Sequence, residues 1–98
     1  MTARLPLPTV AELATTVLAC IKAHDGMATI QEIEECVAER LRLTKAQCAI
    51  PHKGREKRSE LDYRLAWART KLRAAGLIRN EGRGIWAVAK QHTDQMSS

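Results

Sequence analysis

Four short signatures predict where the helices of this chain begin. In a capping box, a Ser or Thr side chain accepts a hydrogen bond from the backbone N–H of the residue three positions later. The acidic or amide side chain of that residue accepts one in return from the backbone N–H of the Ser or Thr. Thr9-Val-Ala-Glu12, Thr29-Ile-Gln-Glu32 and Ser59-Glu-Leu-Asp62 fit this pattern, and Thr44-Lys-Ala-Gln47 is a weaker fourth. Because each precedes a helix-compatible segment, the chain is predicted to be mainly helical.

The apolar spacing predicts the extent of these helices. The first runs from about Val10 to His24, and the second from about Ile30 to Leu41 with an acidic outer face. Residues 42–50 are predicted to form a short helical turn, and Ser59 to Ala75 the last helix. Pro51 to Arg58 is polar and charged, and is predicted to be an exposed loop.

A two-stranded hairpin is predicted from Leu77 to Val88. The connecting segment Asn80–Gly84 supplies two glycines for positive φ angles and places Arg83 at the tip. Met27-Ala28 is a candidate third strand. The predicted fold class is therefore α+β, mainly α: a winged helix-turn-helix of three helices and a C-terminal β-hairpin wing.

Length and composition set the organisation of the chain. Ninety-eight residues suffice for one domain, predicted over residues 1–90, with 91–98 as a polar tail or the start of a linker. Phe is absent, so the core must be aliphatic. No apolar run approaches the roughly 18 residues that a membrane span needs, and no signal peptide is visible. We expect no membrane association.

The cysteines predict a reducing compartment. Cys20, Cys36 and Cys48 are odd in number and no pair has Cys-x-x-Cys spacing, which favours buried or half-buried thiols over a disulfide or a zinc site. We expect no metal and no cofactor, and a cytoplasmic, nucleoid-associated location.

Basic residues are concentrated in the second half of the chain. Residues 42–98 hold 13 of the 16 basic and 5 of the 11 acidic residues, a formal charge of +8, whereas residues 1–41 carry −3. Such an asymmetry in a small domain predicts one face that meets a polyanion.

The helix predicted over 59–75 has a core stripe and an opposite face suited to a DNA major groove. The small or hydrogen-bonding centre of that face can approach base edges, while basic residues on both shoulders reach phosphates. A merely solvated surface helix is the alternative for this helix. The predicted DNA-contacting residues are Tyr63, Arg64, Ala66, Arg69, Thr70 and Arg73 on the helix, Lys53, Arg55, Lys57 and Arg58 in the preceding basic loop, and Arg83 on the wing.

The two tryptophans receive different predictions. Trp86 is predicted to be a core residue, because a chain without Phe needs bulk. For Trp67, partial burial beside the hairpin is favoured over direct contact with DNA.

The same residues resemble a known family. Arg64, the run Trp67-Ala68-Arg69-Thr70, Ala75-Gly76-Leu77 and Gly84-Ile85-Trp86 are similar to the N-terminal winged-helix domain of Mrr-type restriction endonucleases, over roughly residues 5–90. The resemblance implies a domain that binds DNA, often modified DNA, while a separate C-terminal nuclease domain cuts. Tyr63 departs from the smaller polar residue expected at its position.

Catalysis finds little support in the sequence. His24, His52 and His92 are far apart and lack metal-ligand spacing, and Ser59 is explained by its capping role. The chain is therefore predicted not to be an enzyme.

Three functions fit the sequence. The first is target recognition for a restriction system, whose nuclease domain belongs to the same longer chain. The second is a free-standing transcription regulator that acts as a homodimer, and the third is a protein-interaction domain with an acidic partner. Double-stranded DNA is the favoured partner.

Overall fold

A computed structural model describes residues 7–52 and 55–89, with the backbone alone considered at 55–57. The fold is α+β and mainly helical, with two small antiparallel sheets. No helix in this described part is long and apolar enough to cross a membrane. The helices are α1 (Val10–Ala23), α2 (Ile30–Arg40), α3 (Lys45–Cys48) and α4 (Glu60–Ala74), and the strands are β1 (Met27–Thr29), β2 (Pro51–His52), β3 (Arg55–Ser59), β4 (Ile78–Gly82) and β5 (Ile85–Val88).

The four helix starts lie where the capping signatures predict them. Thr9, Thr29 and Thr44 each form a complete capping box with the residue three positions later. At α4, the Ser59 hydroxyl accepts from the Asp62 backbone N–H at 3.0 Å, but the Asp62 carboxylate binds a neighbouring arginine instead of closing the box. Local side-chain hydrogen bonds therefore fix all four starts.

A three-stranded antiparallel sheet of order β1-β5-β4 confirms the hairpin and its third strand. Met27 pairs with Ala87, and Asn80 pairs with Trp86. The turn between β4 and β5 contains Gly84 at a φ of 69°, and the Gly84 carbonyl accepts from the Ile30 N–H at 2.9 Å, which fixes the hairpin turn against the start of α2. Of the two glycines expected at positive φ, only Gly84 adopts it.

The segment predicted as an exposed loop over residues 51–58 is partly a second hairpin. β2 pairs antiparallel with β3, and Pro51 lies opposite Ser59. The Glu60 N–H donates to the Ile50 carbonyl at 2.7 Å and closes the base of this hairpin just before α4. The loop prediction was wrong because backbone pairing of so short and polar a segment leaves no apolar alternation in the sequence.

The core is aliphatic, as the absence of Phe predicts. α1 packs across α4 and against α2, and strands β1 and β5 cover the same apolar cluster. Its largest fully buried side chains are Leu13, Val17, Cys20, Ile21, Ile33, Val37, Leu61, Leu65 and Ile78.

A disulfide joins Cys20 of α1 to Cys36 of α2, with their Cα atoms 5.9 Å apart. The expectation of three reduced thiols is therefore wrong for this pair. The two cysteines lie on packed faces of neighbouring helices, a proximity that their separation of 16 residues does not reveal. Cys48 is a free, half-buried thiol.

Candidate nucleic-acid interface

Helix α4 has one buried face and one face that the described elements leave open. Leu61, Leu65, Ala68 and Leu72 are buried, as predicted. Around the opposite side, Trp67, Thr70, Lys71 and Arg73 are exposed, and Tyr63 and Ala66 are half-buried. We call Tyr63, Ala66, Trp67 and Thr70 the outer face of α4.

A network of charged side chains surrounds the start of α4. Arg58 Nε donates to Asp62 Oδ2 at 2.8 Å, and Arg64 Nε donates to Glu60 Oε2 at 2.8 Å. His52 Nδ1 of β2 lies 2.8 Å from the other Glu60 oxygen. The hydrogen bonds from His52 and then Arg64 lower the pKa of the Glu60 carboxyl below its ordinary value. The short hairpin and α4 are thus joined by Glu60.

Arg64 is held by hydrogen bonds within the domain, whereas the sequence predicted it to be a free side chain flanking the DNA-contacting face of the helix. Its Nη1 donates to the Pro8 carbonyl at 2.9 Å and the Leu7 carbonyl at 3.2 Å, in addition to the bond with Glu60. The side chain turns toward the segment before α1, because unpaired backbone carbonyls there accept its remaining donors. In this position Arg64 fixes that segment against α4.

Three rings are in contact along the open side of α4. The His52 and Tyr63 rings stack with centroids 3.9 Å apart and an interplanar angle of 17°. Trp67 meets Tyr63 edge to face at 6.5 Å. The Arg58 guanidinium lies 5.8 Å from the Tyr63 centroid. Tyr63 is consequently held between neighbours, and the second hairpin contributes to the surface beside α4.

Trp67 is exposed and does not lie beside the β4–β5 hairpin, so the partial burial predicted for it there is wrong. It retains 52% of its accessible surface. The β4–β5 hairpin lies near Arg69. At 3.6 residues per turn, Arg69 is about 160° around the helix from Trp67. Two open pockets flank the indole: one of about 200 Å³ with Arg58, Tyr63, Ala66 and Thr70, and one of about 320 Å³ with Val10, Thr70, Lys71 and Ala74.

Arg69 is buried, so its predicted place on an exposed shoulder is also wrong. It is only 8% exposed, and its guanidinium carbon lies 6.0 Å from the Trp86 ring centroid. Its Nη1 atom has no hydrogen-bond partner among the described residues. Burial lowers the pKa of the guanidinium, while Asp62 and Glu34 oppose that shift. Burial also raises the pKa of the Glu34 carboxyl.

Trp86 packs half-buried against the core, as predicted. Its Nε1 atom is buried and has no hydrogen-bond partner in the described part of the chain.

The turn between β4 and β5 projects Arg83 into solvent. Gly84 provides the positive φ that closes the turn, and Asn80 Nδ2 donates to the Ile85 carbonyl at 3.0 Å across the hairpin. Arg79 is ion-paired with Glu81 on β4. Arg83 is therefore an exposed cation on the turn, in the position predicted for the tip.

The family of this chain follows from its similarity to known protein families. The profile of the Mrr N-terminal domain matches residues 11–98. The chain belongs to the Mrr N-terminal domain family. Searches of curated proteins and of solved structures found no match. Membership confirms the predicted resemblance and associates the chain with restriction systems.

In this Mrr N-terminal domain, the predicted contact residues fall into three groups. Arg58, Tyr63, Ala66 and Thr70 lie together around one pocket, with Arg73 and Arg83 exposed elsewhere. Arg64 and Arg69 are engaged within the fold. Lys53, the side chains of Arg55 and Lys57, and the tail 91–98 lie outside the described residues.

The predicted contact residues of this Mrr N-terminal domain did not include Trp67, Lys71 or the half-buried His52. Lys71 is exposed beside Trp67, and His52 supports Tyr63 by stacking. Around the helix, Trp67 lies between the predicted outer-face residues and Lys71. This position is the sequence signal that could have identified the indole as part of the same surface. No grouping of His, Cys, Asp and Glu suited to a metal ion occurs within residues 7–52 and 55–89.

Proposed function

We propose that this Mrr N-terminal domain is a winged helix-turn-helix that binds duplex DNA and recognises targets for a restriction system directed at modified DNA. The elements α1, β1, α2, α4, β4 and β5 follow one another in winged-helix order, with α3 and the β2–β3 hairpin inserted between α2 and α4. Together with the sheet order β1-β5-β4, this supports the fold assignment. In this assignment α4 is the recognition helix and the β4–β5 hairpin is the wing. The observation that carries the proposal is the outer face of α4, open and bordered by cations in a member of this family.

The charge distribution supports a docking arrangement. α4 enters the major groove, where Lys71 and Arg73 on its sides approach phosphates. Arg83 contacts the backbone from the wing tip, and the basic hairpin β2–β3 contacts it from the other end of α4. Exposed acids of α2, such as Glu35 and Glu39, lie on a helix that does not take part in this docking.

The proposed role is recognition without catalysis. The His24 ring lies 3.0 Å from the Cys20 carbonyl, and His52 is engaged with Glu60, so both rings have structural partners. We propose that cleavage is performed by a nuclease domain in the same longer chain, and that DNA binding requires no cofactor. Binding to duplex DNA would place the protein at the nucleoid in the cytoplasm.

Titration of DNA binding against salt concentration tests the proposal. If about five cations contact phosphates, the plot of log affinity against log salt should have a slope of roughly −4 to −5. Tight binding with a slope near zero would contradict the electrostatic docking. Failure to bind any duplex at low salt would contradict DNA binding itself and favour an acidic protein partner.

A further inference from the structure

We propose that the outer face of α4 selects DNA by contacting the C5-methyl group of a pyrimidine in the major groove. Trp67 and the two pockets beside it form the contact. This inference rests on the proposed docking of α4 and names the chemical group that the helix reads. Thymine and 5-methylcytosine both present such a methyl group, and the same apolar contact serves either base.

Two of the four outer-face residues, Ala66 and Thr70, offer no free hydrogen-bond donor to a base edge. The Thr70 hydroxyl donates to the Ala66 carbonyl at 3.0 Å, and Ala66 has no polar side-chain atom. Beside them, Arg58 donates to Asp62. Recognition of guanine or adenine edges relies on bidentate donors and acceptors such as Arg, Asn or Gln. Helix α4 presents no Asn or Gln, and two of its three arginines, Arg64 and Arg69, are engaged elsewhere.

The apolar character of this surface favours contact with a methyl group instead. Trp67 leaves about half of its surface in water, and covering this apolar surface with a partner is favourable. The pockets of about 200 and 320 Å³ lie beside this indole and share Thr70 as a lining residue. In a major groove, the apolar group that projects from a base pair is the pyrimidine C5-methyl.

The charges around the indole favour DNA as the occupant over an apolar protein segment. Lys71 lines the larger pocket, Arg58 lines the smaller one, and Arg73 is exposed near the end of α4. Cations beside an apolar centre match a groove whose walls are phosphates and whose floor carries methyl groups. The other exposed large hydrophobic residue of the described chain, Met27, lies on β1.

Three DNA pools with one randomised core test this inference without knowledge of the target. One pool is amplified with thymine and cytosine, one with uracil and cytosine, and one with uracil and 5-methylcytosine. Uracil lacks only the C5-methyl group of thymine, so hydrogen bonding at the base edge is unchanged. After equal rounds of selection, the affinity of the tightest binders from each pool is measured at several salt concentrations.

We expect the pool without methyl groups to bind about fourfold more weakly for each methyl contact, the effect of about 0.8 kcal/mol per buried carbon. Tighter binding of the thymine pool alone identifies thymine as the source, and tighter binding of the 5-methylcytosine pool alone identifies the modified base. The variant Trp67→Ala should bind all pools equally while keeping the salt slope. The matched variant Lys71→Gln should weaken every pool and keep the preference.

Two results would overturn the inference. Equal affinities of the wild-type protein for all three pools, with the full salt slope, would refute methyl recognition and leave the proposed function standing. Preservation of the preference in Trp67→Ala would refute the assignment to this face. Absence of binding to every pool at low salt would refute the proposed function itself. The loss of all affinity distinguishes this result from a failure of methyl recognition alone.

Discussion

The guanidinium of Arg69 lies 6.0 Å from the centre of the Trp86 indole, which places a buried cation between helix α4 and strand β5. Arg69 Nη1 and Trp86 Nε1 are both buried, and neither has a hydrogen-bond partner within the described chain. Asp62 and Glu34 provide the opposing charges nearby. The pair therefore joins α4 to β5 mainly through packing of the arginine side chain against the ring.

Replacement of Arg69 separates packing from charge. Arg69→Ala should lower the free energy of unfolding by about 2 kcal/mol, because the buried stem and its contact with the indole are lost. Arg69→Met should cost less, since it keeps the stem and removes a buried charge with an unpaired donor. Urea denaturation of the two variants measures the difference.

Arg73 is the matched control for this experiment. It lies on the same helix and is exposed, so Arg73→Ala should change the free energy of unfolding by no more than about 0.5 kcal/mol. Under the proposed docking, the same change weakens DNA binding. If Arg69→Ala were as harmless to stability as Arg73→Ala, Arg69 would be a surface residue and α4 would be rotated from the position described here.

The sequence predicted features that depend on near neighbours in the chain. Thr9, Thr29 and Thr44 cap their helices through residues three positions away, and Gly84 closes a turn that spans a few residues. The core stripe of α4 also follows from helical periodicity alone. These features were predictable because the interactions that create them lie within one element.

Apart from the short hairpin β2–β3, the incorrect predictions concern contacts between distant elements. Arg69 lies about 40° from Leu65 around the helix, close to the core stripe, and its charge alone suggested exposure. Only the position of Trp86 on β5 shows that the arginine is covered. Likewise, the proximity of Cys20 to Cys36 depends on how α1 packs against α2. The exposure of Trp67 follows from the hairpin lying on the other side of α4.

The lowered pKa of Glu60 predicts a loss of stability in acid. Because His52 and Arg64 favour the carboxylate, its folded pKa lies below the ordinary value of 4.5. The carboxylate therefore stabilises the fold fully above that value, and this contribution is lost as the pH falls through the folded pKa. Glu60→Gln should be less stable than wild type at pH 7, and the difference should shrink between about pH 5 and pH 3.

Unfolding curves across that pH range provide the measurement. Glu39→Gln is a suitable control, since Glu39 is exposed on α2 and lies far along the chain from this network. A stability difference between wild type and Glu60→Gln that grew as the pH fell would contradict the assigned hydrogen bonds.

The disulfide between α1 and α2 predicts a dependence on reductant. Closing a loop of 16 residues stabilises a fold by about 3 kcal/mol in the chain-entropy description. Reduction should therefore lower the urea midpoint of the wild-type protein, and Cys36→Ser should be insensitive to reductant. Cys48→Ser should keep the sensitivity, because Cys48 is free. Alkylation of all three cysteines in unfolded, unreduced protein would show that the bond is absent.

Under the proposed docking, the β4–β5 turn and helix α4 are expected to differ in what they contribute to DNA binding. Arg83 is exposed on the turn after β4, so Arg83→Ala should weaken all duplexes by a similar factor and reduce the magnitude of the salt slope by about 0.9, the loss of one phosphate contact. Thr70 lies in the centre of the outer face, and Thr70→Ala should instead change the order of preference among duplex sequences. Both residues are exposed, so neither change should alter the unfolding midpoint appreciably. If Arg83→Ala reordered the preferences while Thr70→Ala weakened all duplexes alike, the wing would be the reading element. Helix α4 would then lie along the backbone, outside the major groove.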